Sequence, residues 1–227
     1  MDRSTDSAAT AAALVADDAT ALTPHGTAPY PDDRGALARP RGFAAMLLIT
    51  SLIAIAATII IIVERSILAV DPNHRTSCDL NPWMSCGKVM QSWQAGTFGF
   101  PNTYVGVVGF SVLITVAVSL FAGARFARLY WLLMNLGILA GLGFAGWLWY
   151  AAVYQINTLC LYCMIVWAMV IVQAVMTTSA NIQNGIIPAS EGLRDKARDF
   201  AWPVVVLIYL AVFASIVLHF GLGVLGL

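Results

Sequence analysis

The sequence predicts an all-α integral membrane protein that crosses the bilayer five times. Three observations predict it. Of 227 residues, 59% are hydrophobic and only 11% charged, against about 25% charged in soluble domains. Five apolar runs, 43–63, 103–122, 129–152, 158–178 and 201–222, each approach the ~20 residues that span a hydrocarbon core. The 12 basic residues are divided unevenly between the connecting segments, as in an oriented membrane protein. Formal net charge is zero, so there is no electrostatic basis for binding nucleic acid.

Residues 1–40 are rich in Ala, Asp, Thr and Pro and contain no span. The Ala-rich run at 8–16 is short, lies between Asp6 and the Asp17–Asp18 pair, and lacks a basic n-region. The segment reads as a disordered cytoplasmic tail. Arg3, Arg34, Arg39 and Arg41 precede span one, Arg125 and Arg128 separate spans two and three, and Arg194, Lys196 and Arg198 separate spans four and five. Only Arg65, Arg75 and Lys88 lie on the other side. Nine against three sets the N-terminus in the cytoplasm and the C-terminus outside. The 64–102 loop and a short turn at 153–157 are then outside. Within the loop, Val89, Met90 and Trp93 share a helical face, which suits a short amphipathic helix lying on the membrane surface.

Span two carries Gly106 and Gly109, and span three Gly137, Gly141 and Gly146. They read as notches for close helix packing. Span three ends in Trp147, Trp149, Tyr150 and Tyr154, an interfacial aromatic belt. Asn157 and Thr158 are N-cap candidates for span four, and Pro203 opens span five where a helix accepts proline. The resulting organisation is a tail (1–40), a bundle with its outer loop (41–180), a cytoplasmic loop (181–200) and a final span (201–227).

All four cysteines fall on the outer side, where disulfides persist. Cys160-Leu161-Tyr162-Cys163 is a C-x-x-C pair at a helix N-terminus, where the dipole favours thiolate. Cys160 is expected near the water boundary and Cys163 deeper, a layout for passing electrons from an aqueous donor to a lipid-soluble acceptor. The blander alternative is two inert buried residues. Cys78 and Cys86 lie in the loop with Pro72 and Pro82. A disulfide between them is expected to be solvent-accessible and labile, the alternative being a static staple. A zinc site would want two short C-x₂₋₄-C knuckles, and one spacing here is too long; no metal site is expected. His74 reads as solvated, and His219 as interfacial and far in sequence from the cysteines.

Taken together, Cys78-x₇-Cys86, then Phe98-Gly99-Phe100-Pro101-Asn102, then Cys160-Leu161-Tyr162-Cys163 resemble the vitamin K epoxide reductase (VKOR) family in its bacterial, disulfide-forming branch. The likeness covers about residues 43–178. The wide pair precedes the C-x-x-C, the reverse of the analogous DsbB family. The resemblance implies a four-helix transmembrane bundle around a quinone, with span five as a peripheral addition. It implies that Cys160 and Cys163 are the active-site pair, with Cys163 nearest the quinone. Cys78 and Cys86 would be the shuttle pair, with Cys86 joining Cys160 transiently. Asn102 matches the residue that hydrogen-bonds a quinone carbonyl. Trp167 stands where vertebrate members carry a Tyr on the other carbonyl, and an indole donates only through its N–H.

The implied activity is a membrane thiol:quinone oxidoreductase that reoxidises a DsbA-like protein and supports disulfide bond formation. Many bacterial relatives carry a thioredoxin-like domain after span five. This chain stops at Leu227, so the partner is expected to be a separate DsbA-like thioredoxin-fold protein. Menaquinone is expected over ubiquinone, and a bacterial cell (inner) membrane as the location. Two other readings stay open: a thiol-driven quinone or quinone-epoxide reductase, since exchange is reversible, and a non-enzymatic scaffold with structural disulfides.

Overall fold

A computed structural model describes residues 40–79 and 81–221. The expected tail before Pro40, and residues 222–227 of the last span, lie outside the described residues. Helix α1 (Arg41–Val70) is the first span. Its hydroxyls bond back within the helix, Thr58 to the Ala54 carbonyl at 2.7 Å and Thr50 to that of Met46 at 2.8 Å. That satisfies them where no water is available. The helix runs seven residues past the expected 63 because its first outer charges have protein partners. Arg65 donates to the Ala95 carbonyl at 3.0 Å, and Glu64 is held by the outer loop.

That loop therefore begins at Asp71. It contains α2 (Cys86–Gln91), capped by the Ser85 hydroxyl, and a 3₁₀ turn, Trp93–Gly96. The expected short helix is present, but its face differs. Met90 is buried, whereas Trp93 starts the next turn and is 68% exposed. Span two is α3 (Thr103–Phe121). Span three is α4 (Arg128–Tyr150), which continues through a π-helical turn, Ala151–Ile156. The turn expected at 153–157 is thus mostly helix. It ends at Asn157 in the left-handed conformation (φ 55°), which Asn tolerates better than most residues.

Span four is α5 (Leu161–Gln183). It starts after the expected 158 because Leu159 pairs with the outer loop. Asn157 and Thr158 do not cap it; Cys160 does, its sulfur accepting from the Cys163 N–H. The 181–200 segment contains α6 (Glu191–Asp199), an exposed charged helix. Span five is α7 (Ala201–Phe220).

Leu47 and Ala54 of α1, Leu113 and Ala117 of α3, Trp131 of α4 and Ala174 of α5 form the main core. Buried Gln173 of α5 donates to Thr50 and Ser51 of α1 at 3.2 and 3.1 Å, the polar adhesion that apolar lipid cannot supply. α7 leans on α5 through Val205, and its Tyr209 hydroxyl donates to the Ala168 carbonyl at 2.7 Å. α3 packs on α1 and α4 on α5, while α3 and α4 barely touch each other. Gly106 does meet α1, since a Cβ there would lie 3.5 Å from Thr58. Gly109, Gly137, Gly141 and Gly146 face open space instead. The expectation that they are packing notches is wrong for these four.

Candidate functional site

Backbone pairing builds the site. The Leu159 N–H donates to the Trp83 carbonyl at 2.9 Å, and the Ser85 N–H donates to the Leu159 carbonyl at 3.0 Å. These two bonds clamp the residues before Cys86 against the residue before Cys160. The Cys86 and Cys160 sulfurs consequently lie 3.2 Å apart. Cys78 and Cys86 are disulfide-bonded, with Cα atoms 5.6 Å apart, and Cys160 and Cys163 are free. The sulfurs of Cys78, Cys86 and Cys160 all lie within 4.8 Å of one another.

The loop disulfide is not exposed as expected. Cys78 and Cys86 are each 0% accessible, and Cys160 is 1% accessible. The loop folds under itself, packing both cysteines with Ile61, Leu68 and Met90. Two carboxylates hold it there. Glu64 of α1 accepts from the Ser77 N–H at 3.0 Å and from the His74 ring at 3.3 Å, so His74 is paired rather than simply solvated. The Ser77 hydroxyl lies 2.9 Å from that of Tyr162, inside the C-x-x-C. Asp79 accepts from the Thr76 N–H at 2.8 Å. Burial works against the Asp79 carboxylate, but hydrogen bonds from Ser85, Thr76 and the Gly87 backbone bring its pKa below the usual 3.8.

Cys160 is tuned in the same way. A hydrogen bond from the Cys163 side chain draws its pKa below the usual 9.0, against the opposing effect of burial. Backbone N–H groups of Cys163 and Tyr162 assist, and the Asp79 charge opposes.

Cys163 is half-buried and lines a cavity of about 470 Å³ between α1, α3, α4 and α5. The wall is almost wholly apolar, and the few polar groups include Asn102, Cys163 and Gln173. Trp167 lines it one turn beyond Cys163. Val105 and Val112 of α3 and Leu133 of α4 line it yet stay exposed, so it opens sideways between the two helices that barely touch. Asn102 is fixed at the outer end. Its Nδ2 donates to the Gln94 carbonyl at 2.6 Å, and its N–H donates to the Ala95 carbonyl at 3.0 Å. Its Oδ1 is buried without a partner. Gln94 is held in turn by donating to Gln155 of the π turn at 2.9 Å.

The sequence-selected residues therefore fall into two adjoining groups. Cys78, Cys86 and Cys160 form a sulfur cluster, and Cys163, Asn102 and Trp167 line the cavity beneath it. Sequence reasoning missed Gln94, Ser77, Tyr162 and Asp79, ordinary polar residues whose roles come from tertiary contacts. It also missed Glu64, which the expected span boundary at 63 assigned to the outer loop although α1 continues through it.

A multi-pass helical membrane protein with convergent cysteines above a lipid-facing apolar cavity is a membrane thiol-redox protein by class. The chain belongs to the vitamin K epoxide reductase family, whose model matches residues 45–178. Members of that family are membrane thiol/quinone oxidoreductases and generally use quinone. No curated protein matches the chain.

Proposed function

We propose that the protein reoxidises a DsbA-like thioredoxin-fold protein outside the cytoplasm and passes the electrons to a membrane quinone, supporting disulfide bond formation in a bacterial cell membrane. One observation carries the reading. A 3.2 Å sulfur–sulfur contact joins the two cysteine pairs, and the far cysteine, Cys163, borders an apolar cavity open toward lipid. The nine-to-three basic asymmetry supports an outward-facing site.

The partner's dithiol reduces the Cys78–Cys86 disulfide and leaves oxidised. The Cys86 thiolate then attacks Cys160 of a Cys160–Cys163 disulfide, forming a Cys86–Cys160 bond and releasing Cys163. Cys78 attacks Cys86, which restores Cys78–Cys86 and frees Cys160. The sulfur states seen, Cys78–Cys86 bonded with Cys160 and Cys163 free, match this point in the cycle. Re-forming the Cys160–Cys163 disulfide then gives up two electrons and two protons, which a quinone can accept.

The cavity fits such an acceptor. It has the volume of a small-molecule site, and its wall suits an apolar ring. The partnerless Oδ1 of Asn102 can accept a hydrogen bond from a hydroxyl formed there. Its second amide hydrogen, left over from the bond to Gln94, can donate to a carbonyl. Trp167 adds an apolar wall. The gap between α3 and α4 gives a hydrocarbon tail a path to lipid.

The test is turnover in proteoliposomes fed with a reduced thioredoxin-fold dithiol and either a menaquinone or a ubiquinone. The intact protein should reduce quinone. Cys163→Ala should abolish this. The Cys160 thiolate, left without Cys163, can attack Cys86 of the Cys78–Cys86 disulfide, releasing the Cys78 thiol. The resulting Cys86–Cys160 disulfide should be visible as a joined peptide pair under non-reducing conditions. Undiminished quinone reduction by Cys163→Ala would sink the reading.

A further inference from the structure

We propose that span five is a positioning element for the sulfur relay, acting through His219 and Phe220, rather than a peripheral addition. The inference rests on the thiol–quinone reading above. The family match ends at residue 178, so α7 lies outside it. Its outer tip nonetheless reaches both sides of the clamp that brings Cys86 to Cys160.

On one side is Asn157, three residues before Cys160. Among the described residues it is the only non-glycine with positive φ. It ends the π turn, and the next residue's N–H reaches back to the Ala152 carbonyl at 3.0 Å. The chain reverses here so that Leu159 can pair with the outer loop. A left-handed residue with a side chain carries a conformational cost unless something holds it. His219 supplies the hold, its Nε2 lying 2.7 Å from Asn157 Oδ1. The His219 ring itself is packed against Tyr154 of the π turn, with centroids 4.9 Å apart.

On the other side is Trp83, whose carbonyl receives the Leu159 N–H. Its ring meets Phe220, with centroids 5.9 Å apart. Phe220 and Ile216 also close a small core with Val153 and Leu159. Adjacent residues at the end of α7 thus contact both segments that meet in the clamp. His219 is far from the cysteines in sequence, yet it contacts Asn157, three residues before Cys160.

The consequence is specific. Loosening α7 should misplace Cys160 relative to Cys86 while leaving the Cys163–cavity side intact, since the cavity wall contains no residue of α7. The experiment uses the full chain with Cys163→Ala, and measures the fraction trapped as the Cys86–Cys160 disulfide by non-reducing peptide mapping. Adding His219→Ala should lower that fraction at least about threefold. Asn157→Gly, which relaxes the left-handed position but removes His219's acceptor, should lower it similarly. His219→Gln, whose amide can still donate, should restore most of it. A parallel measurement uses Cys78→Ser/Cys86→Ser, in which a small dithiol reduces Cys160–Cys163 directly. There His219→Ala should leave quinone reduction unchanged.

Unchanged trapping in both His219→Ala and Asn157→Gly overturns the proposal. So does a parallel fall in dithiol-driven quinone reduction, which would mean that α7 merely supports the bundle. If the small dithiol drives no quinone reduction even with α7 intact, the thiol–quinone reading fails. Trapping, which involves no quinone, still decides the role of span five.

Discussion

The Cys160 sulfur accepts from the Cys163 N–H, so this residue caps α5 while its thiol touches Cys86. Placing a thiol at an N-cap couples secondary structure to reactivity, because the orphan N–H groups that need a partner also stabilise its anion. The shift predicts a pH profile. A lowered thiol pKa means that thiolate persists to lower pH, so alkylation of Cys160 by a small reagent should have its midpoint below 9.0. The largest contribution comes from the Cys163 side chain, so Cys163→Ala should move the midpoint upward. A midpoint unmoved by that change, with Cys78 and Cys86 replaced by Ser to isolate the signal, would contradict the assignment. Asn102 makes the second residue-scale case. Its contacts with Gln94 and Ala95 orient it before any ligand arrives, and a preorganised donor acts most on charge that develops during reaction. Asn102→Ala should slow quinone-dependent reoxidation about tenfold or more, below the roughly 10²–10³-fold loss seen on removing an oxyanion-hole donor in a hydrolase. The partner's attack on Cys78–Cys86 should be unaffected. Stopped-flow measurement of the two half-reactions checks this, and slowing confined to the partner step would reduce Asn102 to a structural role. The cysteines stood out by their spacing and shared outer side, and Asn102 only through the family resemblance. Asp79 and Ser77 were not, because a polar residue in a polar loop carries no mark of its fate.

At the level of elements, apolar runs near twenty residues were enough to find all five spans. They were not enough to end them. α1 outlasts its apolar run because Glu64 and Arg65 are satisfied by loop atoms, and hydropathy counts charges without knowing their partners. α4 runs on through the π turn to Asn157, where the sequence suggested only a connection. Gly109, Gly137, Gly141 and Gly146 were misread for a related reason. Small residues at helical spacing suit both a close contact and a gap, and only the neighbouring helix tells which. Gly141 separates these physically. A side chain there would enter the cavity and meet nothing else within 4 Å at its Cβ. Replacing Gly by Leu in a helix interior also favours the helix by roughly 0.5–1 kcal/mol. Gly141→Leu should therefore leave thermal stability equal or higher while raising the KM for quinone several-fold. Titrating quinone in proteoliposomes, alongside a melting curve in detergent, reads both. A destabilised protein with unaltered KM would mean that α4 packs tightly at Gly141 after all.

Across the whole molecule, Cys78, Cys86 and Cys160 lie within the protein rather than on its surface. Composition correctly placed the chain in the bilayer, but the polarity of the 64–102 segment suggested an open loop. It could not reveal that the loop turns its cysteines inward, because the packing that hides them uses Ile61, Leu68 and Met90 from separate parts of the chain. Burial protects the disulfide from adventitious thiols, and it also requires the loop to yield before any partner can reach Cys78. Glu64 is placed to set that resistance. It holds Ser77, the residue before Cys78, and Ser77 reaches the Tyr162 hydroxyl within the C-x-x-C. Removing the carboxylate takes away the acceptor of the Ser77 N–H and the partner of His74, and losing those ties favours the opened loop. In intact cells treated with a permeant reductant, a membrane-impermeant maleimide should therefore label Cys78 and Cys86 slowly in the unmodified protein. Labelling should be at least several-fold faster in Glu64→Ala, and Glu64→Gln, which keeps an acceptor for the Ser77 N–H, should stay close to the slow rate. Labelling seen only after the membrane is opened would reverse the orientation drawn from the basic residues. Fast labelling of the unmodified protein, equal to that of Glu64→Ala, would show that the loop is open in the cell and that Glu64 does not govern access.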